Sequence, residues 1–122
     1  MAAESNNYKE LLKGTLGPII LRLLHDNGKM YGYEISQKVK EQSEGKILIK
    51  EGSLYPALHK LEADGYIKAE EVFIGKRVRR YYKLTAPGMK AAKASVDELV
   101  DFLRTVYGLI TAEPLTGHVA VR

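Results

Sequence analysis

The chain has 122 residues, 45% of them hydrophobic and 28% charged, which is enough for one globular domain with a modest core. Its net charge of +4 is a mild basic excess that permits nucleic-acid binding without establishing it. The absence of cysteine excludes disulfides and thiolate metal sites. No apolar run approaches the roughly 18–20 residues of a membrane helix, so we expect a cytoplasmic protein without membrane contact.

The first part of the chain predicts an interrupted helix. Apolar side chains recur at helical spacing through residues 8–24. Pro18 cannot donate a hydrogen bond to the carbonyl of Gly14, so the helix is expected to kink or restart there. We therefore expect two segments, at about 6–14 and 17–26.

The next part of the chain predicts a shorter helix followed by an isolated strand. Residues 31–42 have a narrow apolar side formed by Ile35 and Val39. The apolar, largely β-branched run at 47–49 is typical of a strand, so we expect it to form one bridge of a small sheet.

The stretch from Gly52 to Gly65 predicts a short helix with two chemically different faces. Ser53 is a suitable N-cap, Pro56 falls inside the expected first turn, and Gly65 suits the left-handed conformation that ends a helix. Leucines at i, i+4 and i+7 form an apolar stripe. The opposite face has no acidic group and carries Ser53, Tyr55, Pro56, His59 and Lys60. This face suits a recognition helix in the DNA major groove, but a simply solvated surface helix explains the same pattern.

After Gly65 the apolar period changes from about 3.6 to about 2, which predicts a β-hairpin. We expect strands at 66–73 and 78–84, joined by a turn at 74–77. The tip and return strand carry five cations, namely Lys76, Arg77, Arg79, Arg80 and Lys83. A basic hairpin suits contact with phosphate, but lysine and arginine also protect solvated edge strands from pairing.

The last part of the chain predicts one long helix, with Thr85 as its N-cap and Pro87 in its first turn. Apolar residues then alternate at spacings of three and four, which is the seam of a coiled coil. The seam consists of Met89, Ala92, Val96, Leu99, Leu103, Val106 and Ile110. We expect a second subunit to cover the part from Val96 to Ile110, and packing on its own domain is the alternative. Residues 111–122 are expected to be a disordered tail.

The order of these elements predicts a winged helix-turn-helix at residues 1–84, followed by one dimerisation helix at 85–110. The fold class is mainly α with a small β-hairpin wing. In this arrangement the third helix enters the major groove, and the cationic hairpin lies against neighbouring phosphate or the minor groove. A two-fold dimer of such domains reads an inverted-repeat operator.

Four motifs of the sequence resemble the PadR family of transcriptional regulators. They are YGYEI at 31–35, GSLYPALHKLE at 52–62, GYI at 65–67, and RYYKLT at 80–85 with Gly88. The resemblance covers roughly residues 9–108. It implies a homodimeric winged-helix repressor that binds a palindromic promoter element and is released by a small ligand.

The resemblance also implies specific contacts with double-stranded DNA. On the recognition helix, the preceding helix and the wing tip, these are Ser53, Tyr55, Pro56, His59, Lys60, Tyr33, Lys38, Lys76 and Arg77. The paired Tyr81 and Tyr82 are expected mainly to pack and to form hydrogen bonds.

The single C-terminal helix is similar to the short-tailed branch of the family, in which flat aromatic ligands lie between the two subunits. A candidate pocket for a small aromatic or hydrophobic effector therefore comprises Leu12, Leu16, Leu99 and Phe102. That branch stacks its ligand on a tryptophan, and this chain has none. Leu99 stands in the corresponding place, which removes the main stacking surface. Phe102 and Tyr107 are the candidates to replace it, and packing of both against the partner helix is the alternative.

No catalytic or metal site is predicted. The histidines His25, His59 and His118 are far apart, and no two lie at ligand spacing with a carboxylate. We therefore expect neither enzyme activity nor a cofactor. The alternatives are a winged helix that binds an acidic protein partner and a DNA-binding regulator without a small-molecule ligand. The hydroxyl-rich face of the predicted recognition helix argues against the protein partner, because protein interfaces favour exposed Leu, Phe or Met.

Overall fold

A computed structural model describes residues 6–112, with side chains from residue 8 onward. Within that part of the chain, five helices and three strands follow one another. They are α1 (Asn6–Leu12), α2 (Leu16–Asn27), β1 (Met30–Tyr31), α3 (Gly32–Gln42), α4 (Glu51–Ala63), β2 (Ile67–Ile74), β3 (Arg77–Leu84) and α5 (Ala86–Thr111).

The break between α1 and α2 confirms the predicted interruption. Gly14 has a φ of +83°, and the Thr15 hydroxyl donates a 2.8 Å hydrogen bond to the Leu12 carbonyl. Pro18 falls in the first turn of α2, where its missing N–H costs little. The two helices therefore meet at an elbow formed by residues 13–15.

A single hydrophobic core joins α2, α3, α4, the sheet and the start of α5. Its buried members are Leu16, Ile20, Leu21, Leu23, Leu24, Met30, Ile35, Val39, Ile49, Leu54, Leu58, Leu61, Ile67, Tyr82 and Ala92. α2 contributes five of them, so it is the central helix. The predicted leucine stripe of α4 faces this core, which turns the opposite side of α4 to solvent.

The strand predicted at 47–49 is wrong. The third strand of the sheet is β1, which pairs with β3 through Met30 and Tyr31, so the strand order is β1-β3-β2. Residues 47–49 form no strand; Ile49 is buried in the core and Ile47 packs against it. These residues are apolar because the connection between α3 and α4 packs on the core.

The predicted hairpin is confirmed, with a tighter turn than expected. β2 and β3 pair from Ile67–Leu84 at the base to Ile74–Arg77 at the tip. Two residues, Gly75 and Lys76, make the turn, and Gly75 has a φ of +64°. Positive φ at the first turn position matches the right-handed twist of the flanking strands.

α4 begins three residues earlier than predicted, so its N-cap is Lys50 and not Ser53. The carbonyl of Lys50 accepts the N–H groups of Ser53 and Leu54, both at 2.9 Å. The acidic Glu51 then falls in the first turn, where its negative charge interacts favourably with the positive end of the helix dipole. Pro56 consequently lies inside the helix, beyond the first turn where it was expected.

The predicted end of α4 is confirmed. Gly65 has a φ of +83°, and the N–H of Tyr66 donates a 3.0 Å hydrogen bond to the carbonyl of Leu61. The N–H of Gly65 donates a hydrogen bond to the backbone carbonyl of Glu62, also at 3.0 Å, which completes a Schellman motif.

The start of α5 is joined to the end of α4. The Thr85 hydroxyl accepts the N–H of Gly88 at 3.0 Å, as an N-cap does, and donates to the carbonyl of Gly65 at 2.6 Å. Gly88 lies against the Tyr66 carbonyl so closely that a Cβ atom has no room. The predicted cap is thus confirmed.

α5 continues one residue past its predicted end, so Thr111 belongs to the helix, and residues 113–122 of the predicted tail lie outside the described residues. None of the helices within 6–112 is long and apolar enough to cross a membrane.

Candidate nucleic-acid interface

The outer side of α4 presents three of the five residues predicted on this helix. Tyr55, Pro56 and His59 are exposed there, opposite the buried leucine stripe. This side is not free of acid as predicted, because the earlier start of the helix adds the exposed Glu51 to its first turn.

Ser53 and Lys60 lie on the flank of α4 that faces the α1–α2 elbow. Both line a largely apolar cavity of about 490 Å³ between α4 and that elbow. Lys60 is exposed and forms a 3.0 Å ion pair with Asp64 one turn later. The structure therefore divides the five predicted residues of α4 between two sides of the helix.

Tyr55 is held in place by α3. A Cβ atom at Gly32 would lie 2.5 Å from the Tyr55 hydroxyl oxygen, so only glycine admits the ring in this position. Burial raises the pKa of the Tyr55 hydroxyl, and the nearby Glu51 raises it further.

α3 supplies the two residues predicted on the preceding helix, Tyr33 in its first turn and Lys38 in its middle. Tyr33 is well exposed and its ring stacks beside Tyr31, with 6.5 Å between the ring centroids. Lys38 is half-buried in the same helix. Glu34 fixes the helix start, because its carboxylate accepts the Tyr31 N–H at 3.1 Å.

The wing cations differ in what they contact. Lys76 and Arg77 are exposed at the tip and have no acidic partner within the described residues. Arg80 pairs with Glu62 of α4 at 3.1 Å and with Glu71 at 3.5 Å. Arg80 therefore ties the wing to α4, and the tip cations remain open to a ligand.

Arg79 was not among the predicted contacts, yet it belongs to this surface. Its guanidinium lies over the Tyr31 ring, 4.1 Å from the centroid. The period of two along a strand places Arg79 on the same face as Arg77, so the alternation of the sequence contained the signal.

The wing and the helices together border a groove with a volume of about 330 Å³, which we call the wing groove. It is lined by Tyr31, Gly32, Tyr55, Ile74, Arg77, Val78, Arg79 and Arg80. β1 pairs only with Tyr81 and Tyr82, so within the described residues the edge of β3 at 77–80 has no strand partner on that side. Cations, a tyrosine hydroxyl and free backbone groups suit a phosphate oxygen.

The two strand tyrosines pack as predicted. Tyr82 is buried in the core, and Tyr81 meets the Tyr31 ring edge-on at 5.3 Å between centroids.

The candidate effector residues fall into two places within one chain. Leu12 and Leu16 line the cavity beside the elbow, but Leu99 and Phe102 lie on α5 and are not part of its lining. On the predicted dimer seam, Val96, Leu99 and Val106 are half-buried, whereas Leu103 and Ile110 are exposed.

Three core helices, a three-stranded sheet with a projecting hairpin and one long terminal helix define a winged helix-turn-helix protein with a C-terminal extension. The chain belongs to the Transcriptional regulator PadR-like family, whose sequence model matches residues 20–94. The resemblance drawn from the motifs is thereby confirmed.

Individual relatives agree with this assignment. The chain is 33% identical over 90 residues to the transcriptional regulator Rv3488 of Mycobacterium tuberculosis, which covers 72% of this chain and 81% of the relative. It is similar to the structure of a transcriptional regulator from Clostridium thermocellum, with 34% identity and a TM-score of 0.73. The match covers 81% of this chain and 95% of the other. The structure of Bacillus subtilis PadR in complex with operator DNA matches with 30% identity and a TM-score of 0.61. This match covers 67% of this chain and 47% of the other.

Proposed function

We propose that this protein is a DNA-binding transcriptional regulator, with α4 as recognition helix and the β2–β3 hairpin as wing. The observation that carries the proposal is the wing groove, which brings Tyr55 of α4 and the tip cation Arg77 to one surface. The structure of Bacillus subtilis PadR with operator DNA supports the same role for this chain.

Each part of this surface has a distinct task in the proposal. Tyr55, Pro56 and His59 meet base edges in the major groove, because they occupy the exposed side of α4. The remaining contacts go to the sugar-phosphate backbone, which positions the protein without reading sequence. They come from Ser53, Lys60, Tyr33, Lys38, Lys76 and Arg77.

We propose that the regulator acts in the cytoplasm as a homodimer on an inverted-repeat operator. The support is the distal part of α5, where Leu103 and Ile110 continue the seam and are exposed in the single chain. An exposed apolar seam at heptad spacing suits a second copy of the same helix. A two-fold dimer would present two α4 helices to two half-sites about one helical turn apart.

The protein is proposed to act as a repressor that a small aromatic or hydrophobic effector releases. The mostly apolar cavity beside the elbow supports this, because one wall is α4 itself. In a homodimer, Leu99 and Phe102 of the other subunit would complete a pocket with Leu12 and Leu16. An effector that binds one relative placement of the two subunits more tightly would shift the spacing of the recognition helices.

The direct test is fluorescence anisotropy of the protein with DNA from upstream of its own gene, at physiological salt and with excess random DNA. We expect retained binding with two subunits per site. If excess random DNA displaces the protein completely from every upstream fragment tested, sequence-specific regulation is contradicted.

The wing has its own test in the salt dependence of binding. Lys76→Ala with Arg77→Ala should weaken binding to all DNA alike and should reduce the slope of log K against log salt by roughly two units. Lys68→Ala with Lys90→Ala removes the same charge from exposed positions outside the wing groove and should leave the slope nearly unchanged. Equal slopes for the two double variants would exclude the wing tip from the phosphate contacts.

A further inference from the structure

The tip of the wing is unusually apolar for a solvated hairpin. Phe73, Ile74 and Val78 are 73%, 46% and 51% exposed, and they surround the turn at Gly75 and Lys76. Phe73 and Val78 lie directly opposite each other across the strands, so their side chains share one face. Ile74 follows Phe73 directly and lies on the other face, so exposed apolar side chains stand on both faces of the tip. Such a group of exposed apolar side chains indicates a surface that another molecule covers.

The fold itself does not use these side chains. Ile67 and Tyr82, at the base of the same strand face, are buried and supply the contact with the core. Phe73 lies six residues further along β2, past the end of that core, where polar residues would serve the hairpin equally well.

The position of the tip selects its partner. Ile74 and Val78 line the wing groove together with Tyr55, so the tip borders the surface that carries the recognition helix. DNA held by α4 would therefore meet the tip. The charge agrees, because Lys76 and Arg77 flank the apolar side chains and have no acidic partner in the part of the chain described.

We propose that the wing tip is an apolar wedge that inserts Phe73 between base pairs in the minor groove of the bound DNA. Val78 and Ile74 pack against the sugars beside it, and Lys76 and Arg77 hold the phosphates on either side. Apolar wedges of this kind partly unstack a base step and kink the duplex. The proposal rests on the proposed DNA-binding function and adds a deformation of the operator to it.

The wedge has a consequence for sequence preference. Pyrimidine–purine steps such as TA and CA unstack most easily, so DNA with such a step under the tip would bind best. In a homodimer the two tips would place one such step at a symmetric position outside each recognition-helix contact. This preference would exist without any hydrogen bond from the wing to a base.

The test starts with selection from a pool of random-sequence duplexes by three proteins: the wild type, Phe73→Ala and Phe73→Leu. We expect the wild type to enrich an inverted repeat flanked by TA or CA steps. Phe73→Ala should enrich the same inverted repeat without the flanking steps, whereas Phe73→Leu should retain them because leucine also wedges. Because Phe73 is exposed, all three proteins should have the same thermal unfolding midpoint.

The second measurement places 2-aminopurine at the flanking step of the duplex that the wild type selects. The wild type should raise its fluorescence by unstacking the base, and Phe73→Ala should bind roughly tenfold more weakly without that rise. Identical pools and fluorescence for the wild type and Phe73→Ala would overturn the wedge and leave a protein partner as the occupant of the tip. No enriched sequence with the wild type would overturn the DNA-binding function itself, and the wedge with it.

Discussion

The two halves of α5 have different surroundings, although they form one continuous helix. In the first half, Thr85 caps the helix, Gly88 touches the backbone of Tyr66, and Ala92 is buried in the core. In the second half, large apolar side chains are exposed, among them Phe102, Leu103, Leu109 and Ile110. The first half belongs to the domain, and the second half has a surface that nothing in the described chain covers.

This difference shows what a heptad pattern leaves open. The spacing of three and four runs without a break from Met89 to Ile110, so it gives no sign of where the intramolecular contact stops. The structure places the change near Val96, which is half-buried. Substitutions in each half can test whether one half serves folding and the other serves assembly.

The largest effect is expected from charges in the second half. Leu103→Asp with Ile110→Asp removes four apolar side chains from the proposed dimer, each worth about 1.5–3 kcal/mol when buried. The expected result in sedimentation velocity is a folded monomer, because both residues are exposed in the single chain. Thr105→Asp, which adds a charge on the exposed polar side of the same helix, should leave the dimer intact. A dimer that survives the double substitution would show that the seam lies elsewhere.

The next largest effect is expected at Gly88, in the first half. Gly88→Ala should lower the free energy of unfolding by about 2–3 kcal/mol, because its Cβ atom collides with the backbone carbonyl of Tyr66. Urea denaturation at fixed protein concentration measures the loss. The control is Gly52→Ala in α4, where the Cβ atom meets nothing within 4 Å. That change should be neutral or stabilise by about 0.5–1 kcal/mol, and equal losses at both sites would contradict the close contact.

The sequence predicted the fold where local chemistry decides. Helical spacing located α2, the cap at Thr85 located α5, and the period of two located the hairpin. Gly65 marked the change from α4 to the hairpin. It missed β1, because a strand of two residues has no period and forms only through its contact with β3. It misread 47–49, because β-branched residues pack in a core as well as in a sheet.

The site was predicted less completely, because its geometry depends on contacts between elements. The motif around Tyr55 was recognised, but the packing of its ring on Gly32 required the angle between α3 and α4. Ser53 and Lys60 share α4 with Tyr55, but their flank of the helix borders the α1–α2 elbow and that of Tyr55 does not. The sequence of α4 alone does not reveal this difference. Arg79 gains its place from the ring of Tyr31, which lies 48 residues earlier in the chain.

A smaller effect is expected at Thr85, where α4 and α5 are joined. Thr85→Ala removes the acceptor for the Gly88 N–H and the donor to the Gly65 carbonyl, so it should cost about 1 kcal/mol of unfolding free energy. Thr85→Ser keeps the hydroxyl and should recover most of that loss in the same urea titration. If serine is as destabilising as alanine, the methyl group and not the hydroxyl supports the joint.

The smallest effect is expected from the ion pair on the surface of the first half. Lys93 and Asp97 lie one turn apart with 3.4 Å between nitrogen and oxygen, and their side chains are 83% and 68% exposed. Such helix pairs contribute about 0.3–0.5 kcal/mol, so Lys93→Ala should change the urea midpoint very little and less still at 1 M salt. Arg22 and His25 of α2 border the same cleft as this pair. Because Arg22 and His25 are basic like Lys93, they offer it no attraction across the cleft, and a loss well above 1 kcal/mol would contradict the assignment of Lys93 and Asp97 to an isolated surface pair.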